Sequence, residues 1–267
     1  MNKLRTATAA LLLSVLVGCA GGDHLVTSKS APPLPQSPAA TPTTEATVPS
    51  GLPANLLARI PKFAEPPAPT KVTLPTDGTA GWFSRIPTNE KVAFITIDDG
   101  WVKHPQALEL FRAADVPVTL FLEVNAITSD PGYFARLRDA GATIQDHTIS
   151  HPNLKGRSYA AQKREICGGA DKLAQMYGTR PTLFRPPFGS HDATTLKVVH
   201  DCGMKAAFYW KETTNKGKVF YQEKHVVQPG DIILMHFRDR FPDDFLAVLN
   251  AIHKAGLTPA RLEDYLP

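Results

Sequence analysis

The chain has 267 residues, and its 29 Lys and Arg against 25 Asp and Glu give a formal net charge of only +4 at pH 7. A charge this small, without a Lys/Arg-rich cluster, disfavours a nucleic-acid partner. Residues 71–267 have the length of about one domain. Residues 1–70 differ from them in composition.

The N-terminus has the organisation of a secretory signal. Lys3 and Arg5 precede an uncharged, mostly apolar run over residues 7–17, which is too short for a membrane-spanning helix of about 20 residues. The run ends at Cys19 in a pattern that resembles the lipobox of bacterial lipoproteins, which implies a signal peptide over residues 1–18 and a lipid on Cys19. An ordinary cleaved signal with an incidental Cys19 is the alternative. We therefore expect an exported lipoprotein that faces outward into the cell wall, or a secreted protein if it is processed.

Residues 19–70 are rich in Pro, Ala, Thr and Ser, and we expect them to form an extended tether. Within this tether, residues 52–63 are more apolar and form either a short helix or a segment that docks on the domain. The catalytic domain is predicted over residues 71–267. Its two cysteines, Cys167 and Cys202, form either a disulfide or two buried free thiols.

Apolar strands and amphipathic helices alternate along the domain. Strands are predicted over residues 92–97, 118–124, 142–145, 183–184, 204–210 and 232–235, and helices over 105–114, 131–140, 158–177, 192–201 and 245–254. This alternation predicts an α/β fold with a parallel sheet, either open or closed into a barrel. In both cases functional groups gather at the carboxyl ends of the strands.

Polar residues follow four of these strands. Asp98 and Asp99 end the first strand, and His147 follows the third strand with His151 four residues later. Arg185 and His236 each end a later strand. Singly, these features are typical of a turn, of unrelated histidines or of satisfied structural groups. Together they include a carboxylate with two histidines, which is a common catalytic zinc set.

The same residues resemble the motifs of the polysaccharide deacetylases, the NodB-homology or carbohydrate esterase family 4. The matching stretches are Thr96-Ile97-Asp98-Asp99-Gly100, His147 to His151, Arg185 to Gly189, and Leu234-Met235-His236. The resemblance implies a distorted (β/α) barrel. It also implies a divalent metal cofactor, usually Zn²⁺, with Co²⁺ or another divalent ion as alternatives.

The resemblance also implies a role for each motif residue. The metal ligands would be Asp99, His147 and His151. Asp98 would be the general base, Arg185 would hold it in place and ionised, and His236 would protonate the leaving amine. The backbone N–H of Phe188 would stabilise the oxyanion, and Leu234 would help to form the acetyl pocket.

Two positions depart from the family pattern. The fourth motif would supply an Asp near a Trp, but only Trp210 is present, so the acid His236 would be tuned by Glu212, Asp231 or Asp239. Trp101 replaces the Pro that often follows the first motif, either as a platform for a sugar ring or as a partly buried aromatic.

These motifs predict removal of N-acetyl groups from a polymer that contains N-acetylglucosamine or N-acetylmuramic acid, with peptidoglycan as the nearest candidate. One alternative is an esterase that removes O-acetyl groups from a xylan-type polysaccharide. The other is an inactive sugar-binding envelope protein on the same scaffold. The expected partners are a cell-wall glycan and, through Cys19, the membrane, and we expect a monomer.

Overall fold

The computed structural model describes residues 51–267. The predictions for Cys19, the signal peptide and the start of the tether lie outside these residues. None of the helices in residues 51–267 is both long enough and apolar enough to cross a membrane.

Ten strands form one sheet in the described part of the chain. They are β1 (Gly81–Phe83), β2 (Val92–Asp99), β3 (Thr119–Leu122), β4 (Thr143–Asp146), β5 (Leu183–Phe184), β6 (Ala206–Phe208), β7 (Glu212–Asn215), β8 (Lys218–Tyr221), β9 (Ile232–His236) and β10 (Thr258–Pro259). Neighbours follow the order β1-β6-β5-β4-β3-β2-β9-β7-β8, and β10 pairs with β2. Every pairing is parallel except the β7–β8 hairpin.

The sheet curls into a distorted barrel. An isolated antiparallel bridge joins Arg85, after β1, to Asp231, before β9. The Ile86 N–H also donates to the Gly230 carbonyl at 2.8 Å. These contacts bring the β1 end of the strand path back to the other half of the sheet. The predicted α/β fold with a distorted barrel of parallel strands is confirmed.

Helices connect most of the parallel strands. They are α1 (Ala54–Leu57), α2 (Ala107–Ala114), α3 (Val124–Ile127), α4 (Pro131–Asp139), α5 (Tyr159–Tyr177), α6 (Ala193–Asp201) and α7 (Phe241–Lys254), with 3₁₀ turns at Pro187–Gly189 and Leu262–Tyr265. The Ser158 side chain caps α5 by accepting from the Ala161 N–H, and Gly178 ends this helix at a φ of 77°. Asp192 and Thr195 form a capping box at the start of α6.

Several elements differ from the sequence prediction. Strand β1 and the β7–β8 hairpin were not predicted, because β1 has three residues and β7 is the polar sequence Glu-Thr-Thr-Asn. Val124 was predicted in a strand but begins helix α3. Helix α7 begins at Phe241 rather than at residue 245, since Pro242 suits a first helical turn and two Asp residues there favour the helix dipole.

The packed domain begins before the predicted boundary at residue 71. Leu52 and Ile60 are 6% and 9% exposed and lie in the core that also contains Leu110 and Phe245. Residues 52–63 of the predicted tether therefore dock on the domain through their few aliphatic side chains, because burial removes this apolar surface from water.

Alternation along β2 divides the core into two regions. Ile95 and Ile97 pack among the helices on the outer face, while Phe94 packs inside the barrel with Phe121 and Phe208. Side chains two residues apart share a face of a strand. Thr96 and Asp98 therefore follow Phe94 along the interior of the barrel, where polar groups need partners.

A disulfide joins Cys167 on α5 to Cys202 at the end of α6, with their Cα atoms 5.2 Å apart. The two cysteines are 35 residues apart in sequence. Closing a loop of this size stabilises the fold by about 3–4 kcal/mol in the chain-entropy account.

Candidate active site

Two consecutive carboxylates approach the same histidine at the end of β2. Neighbouring strand residues normally point to opposite faces, but Asp99 has a φ of 70°, in the left-handed region. This turn places Asp99 Oδ1 3.5 Å from His147 Nε2, while Asp98 Oδ2 lies 3.7 Å from the same nitrogen. A non-glycine residue in this conformation is strained, and such strain clusters at functional sites.

The loop after β4 supplies the two histidines in a strained conformation. Thr148 and His151 have φ values of 74° and 54°. The Thr148 N–H donates to Asp146 Oδ1 at 3.1 Å, and the His151 N–H donates to Thr148 Oγ1 at 3.0 Å. These bonds hold the turn that brings the rings of His147 and His151 to 4.9 Å between centroids.

Helix α5 anchors the same loop from outside. The Glu165 carboxylate accepts from the N–H groups of Ile149 and Ser150 at 3.1 and 3.0 Å, and from Ser150 Oγ at 2.9 Å. Gly169, on the same helix, leaves space for Asp146, because a Cβ at Gly169 would lie 2.3 Å from Asp146 Oδ1. Neither Glu165 nor Asp146 could be recognised from the sequence, since the contacts of Glu165 with the loop and of Asp146 with Gly169 join separate elements and leave no local signal.

The site residues Asp99, His147 and His151 form a cluster that fits a divalent metal. One potential ligand atom from each lies within 4.8 Å of the other two. Asp99 Oδ1 is buried without a hydrogen-bond partner, although it lies 3.5 Å from Nε2 of both histidines. The His147 Nδ1–H donates to the Arg185 carbonyl at 2.6 Å, which leaves Nε2 with a free lone pair toward the site. One oxygen and two imidazole nitrogens suit Zn²⁺ and its neighbours in the first transition row.

The charges of the cluster favour an ionised Asp99. Burial would raise the pKa of Asp99, but the neighbouring imidazoles, His147 above all and then His236 and His151, lower this pKa to about 2. Burial disfavours the charged form of His147, yet Asp98 and Asp99 outweigh it and raise the pKa of this imidazole. Burial, followed by the charge of His147, lowers the pKa of His151.

Arg185 is fully buried and holds Asp98. Its Nη1 donates to Asp98 Oδ1 at 2.6 Å and to Thr96 Oγ1 at 2.8 Å. Its guanidinium lies 4.4 Å from the centroid of the Phe121 ring and donates to the Tyr209 carbonyl at 3.3 Å. Asp98 is 2% exposed, so this ion pair fixes the carboxylate and compensates its buried charge.

His236 stands on the neighbouring strand, paired with Asp98 in the register of β2 and β9. Its Nε2 lies 3.9 Å from Asp99 Oδ2, on the side of the metal-ligand cluster. Burial lowers the pKa of His236. Asp98, which Arg185 holds, and the imidazole of His236 therefore lie on adjacent strands, and both are beside the cluster of Asp99, His147 and His151.

No carboxylate within residues 51–267 replaces the missing Asp of the fourth motif. Glu212 pairs with Ile233, three residues before His236, and lies beside Asp231. Asp231 accepts from Arg85 Nε at 2.5 Å at the opposite end of β9. Within the described residues Asp99 is the only carboxylate within 4.0 Å of a ring nitrogen of His236, and Arg238 lies 3.4 Å from its Nδ1, so Glu212, Asp231 and Asp239 make no direct ion pair with this imidazole.

Aromatic side chains surround the mouth of the site. Trp101 is 61% exposed, and its indole N–H donates to the buried Glu123 at 2.9 Å. Phe188 is 65% exposed, has a φ of 61°, and lies 4.6 Å from the His151 ring. Trp101 is thus an exposed ring held at its edge rather than a partly buried one.

The remaining predicted contacts lie deeper in the barrel. Trp210 stacks on Tyr209 with ring centroids 4.0 Å apart. Leu234 is 4% exposed and pairs with Thr96, so that it shares the interior face with Asp98 and His236. Gly189 has a φ of 67°, and a Cβ there would lie 2.0 Å from the Tyr209 ring, so that only glycine fits this position.

Comparison with known proteins agrees with this geometry. A family model described as polysaccharide deacetylase matches residues 85–207. An uncharacterised protein of Streptomyces coelicolor is 38% identical over 187 residues, which are 68% of this chain and 75% of that protein. The peptidoglycan-N-acetylmuramic acid deacetylase PdaA of Bacillus subtilis is 26% identical over 193 residues, covering 67% of this chain and 73% of that one.

A solved structure supports the fold independently. The wild-type family 4 carbohydrate esterase pseudoenzyme of Bacillus anthracis superposes with a TM-score of 0.62 at 20% identity, covering 71% of this chain and 70% of that chain. At this identity the likeness concerns the fold alone.

Proposed function

Because this chain belongs to the polysaccharide deacetylase family and is a hydrolase of amide bonds, we propose that its substrate is peptidoglycan, from which it removes N-acetyl groups. The sugar carrying the acetyl group would be N-acetylglucosamine or N-acetylmuramic acid. The similar protein from Bacillus subtilis is named as a peptidoglycan-N-acetylmuramic acid deacetylase, which supports this choice of polymer.

The observation that carries the proposal is the position of two proton-transfer groups beside the cluster of metal ligands. Asp98 is fixed by Arg185 at 2.6 Å and lies 3.7 Å from His147, while His236 lies 3.9 Å from Asp99. A protein that only binds sugar needs neither a buried, arginine-held carboxylate nor an adjacent acid. This arrangement therefore favours hydrolysis over the sugar-binding alternative.

In the proposed reaction Asp99, His147 and His151 hold a divalent metal, for which Zn²⁺ suits the ligand set. When bound, such a metal supplies Lewis-acid polarisation of a carbonyl oxygen and of water. Asp98 takes a proton from the attacking water while the oxygen of this water bonds to the carbonyl carbon of the acetyl group. The backbone N–H of Phe188 donates to the oxygen that becomes negative.

His236 completes the reaction at the nitrogen. An amide nitrogen is a poor leaving group, so it must be protonated before the carbon–nitrogen bond breaks. His236, in its imidazolium form, gives this proton from Nε2, which faces the cluster, and becomes neutral as acetate and the free amine result. Leu234, beside Thr96 on the barrel interior, provides apolar surface for the acetyl methyl group.

The place of action follows from the N-terminal sequence as part of the same proposal. A lipid on Cys19 would anchor the protein to the outer face of the membrane. Residues between Cys19 and Leu52, the first core residue described, would then let the domain reach the cell wall. An unlipidated, secreted form would reach the same polymer.

Acetate release by the zinc-loaded protein tests the proposal. The substrates are peptidoglycan, N-acetylglucosamine oligomers and acetylxylan, with Asp98→Asn as the inactive control. Release from peptidoglycan that disappears in Asp98→Asn is the expected result. Release from acetylxylan alone would establish the esterase alternative, and binding of glycan without release from any substrate would refute hydrolysis.

A further inference from the structure

One arginine at the mouth of the site has no acidic partner. Arg238 is exposed and follows β9, two residues after His236. Within residues 51–267 no carboxylate lies within 4.0 Å of its guanidinium. By contrast, Arg240 pairs with Asp243 and Arg85 pairs with Asp231, each at 2.5 Å.

The side chain of Arg238 nevertheless has a defined direction. Its Nη2 lies 3.4 Å from His236 Nδ1, so the guanidinium lies against the catalytic imidazole on the side away from Asp99. A guanidinium has five N–H donors in a planar fork, and only those on Nη2 face His236. The remaining donors can take a carboxylate in the bidentate geometry that arginine favours.

The charges around Arg238 leave it positive. Asp98 is paired with Arg185 inside the barrel, and Asp99 belongs to the cluster of metal ligands. Arg238 is therefore a solvent-exposed cation next to the residue that must meet the substrate nitrogen.

The two sugars of peptidoglycan differ at the position that this cation can reach. Both carry the acetamido group on carbon 2, but N-acetylmuramic acid also carries a lactyl ether on carbon 3, and this group ends in a carboxylate. With the acetamido nitrogen at His236, the substituent of the adjacent carbon lies within a side-chain length of that imidazole. We infer that Arg238 is a specificity-determining residue that binds the lactyl carboxylate of the N-acetylmuramic acid residue being deacetylated.

This inference rests on the proposed deacetylation of peptidoglycan and narrows its substrate. A free lactyl carboxylate is negative, whereas a lactyl group joined to a stem peptide is a neutral amide. Arg238 consequently favours muramic acid residues that carry no peptide.

Steady-state kinetics of the full-length zinc-loaded protein separate this role from others. The substrates are oligomers of N-acetylglucosamine and N-acetylmuramic acid with a free lactyl carboxylate, and the same oligomers with that carboxylate converted to an amide. We expect Arg238→Gln to raise KM for the free carboxylate at least about tenfold, as for loss of a charge-assisted hydrogen bond. The KM for the amide should change much less, so that the preference, measured as the ratio of kcat/KM for the free carboxylate to kcat/KM for the amide, falls by a similar factor. Arg238→Lys should lose part of this preference.

Arg240→Gln is the matched control. It removes the same charge two residues further along the chain, from an arginine that already pairs with Asp243. An equal loss of kcat/KM on both substrates in Arg238→Gln, with the preference for the free carboxylate unchanged, would overturn the inference and make Arg238 a positioning residue for His236. A wild-type protein without preference for the free carboxylate would overturn it as well.

A binding measurement keeps the two proposals distinguishable. In the Asp98→Asn background, calorimetric titration compares Kd for the same two oligomers with and without Arg238→Gln. Tighter binding of the free carboxylate that disappears in Arg238→Gln supports the inference even if wild-type protein releases no acetate. Identical Kd values would refute the inference while leaving deacetylation of a neutral sugar open to the acetate assay.

Discussion

Replacing Arg185 with methionine tests whether the buried ion pair with Asp98 holds the site together. Methionine keeps most of the length of the side chain and its contact with Phe121, but it removes the charge and the bonds to Thr96 and Asp98. Asp98 is 2% exposed, and its buried carboxylate would lose its closest partner. Loss of one partner from a buried pair costs about 3–5 kcal/mol, so we expect Arg185→Met to lower the free energy of unfolding by this amount.

The double variant provides the second part of the prediction. In Asp98→Asn with Arg185→Met neither partner is charged, and a neutral replacement of a buried pair is often close to neutral in stability. We therefore expect the double variant to recover at least about 2 kcal/mol relative to Arg185→Met. Neither variant should release acetate at a rate near that of the wild-type protein.

Urea unfolding of residues 51–267 at pH 7, with the disulfide intact and the metal removed by a chelator, measures these free energies. Arg180→Met is the control, because Arg180 pairs with Asp171 at the surface, where such pairs contribute up to about 1 kcal/mol. A loss in Arg185→Met no larger than that in Arg180→Met would refute the reasoning. So would a double variant that is less stable than both single variants.

Three further predictions concern stability and metal binding. A chain beginning at residue 71 loses the burial of Leu52 and Ile60, and we expect its free energy of unfolding to fall by about 3 kcal/mol or more relative to residues 51–267; equal urea midpoints would contradict the docking of this segment. Burial, then the neighbouring Asp231, raises the pKa of Glu212 from 4.5 to about 9. The folded state therefore binds the extra proton, and stability should fall as the pH rises from about 4.5 to about 9; Glu212→Gln should flatten this part of the stability profile, and an unchanged slope would show that Glu212 is ionised in the fold. His147→Ala should lower the zinc content measured by atomic absorption, whereas the exposed His200→Ala should not; full zinc occupancy in His147→Ala would exclude it as a ligand.

Local sequence patterns anticipated the strands that carry the site. The apolar run before Asp98 and Asp99 forms β2, and the apolar run before His236 forms β9. These predictions succeeded because a continuous run of β-branched residues favours a buried strand. Consecutive acidic residues at the end of such a strand are costly to bury unless another group compensates their charge. The strand pattern did not show which of the two acids joins His147 and His151; only the resemblance to the family implied Asp99.

Weakly patterned elements could not be predicted in this way. Strand β7 is largely polar, and its place in the sheet comes from pairing with β9 and with the β8 strand of its hairpin. Residues 52–63 have too few apolar side chains to indicate burial, and only the hydrophobic surface beneath Leu52 and Ile60 makes docking favourable.

By itself, the sequence determined the parallel type of the sheet, the positions of its main strands along the chain and the chemical groups available at their carboxyl ends, because these depend on neighbouring residues. The tertiary structure alone decided how the groups are held. Glu165 supports the loop of His147 and His151, and Arg238 lies beside His236 where the family pattern led us to expect an acid. These contacts join separate elements, and their energies depend on distance and burial, which come into existence only when the chain is folded.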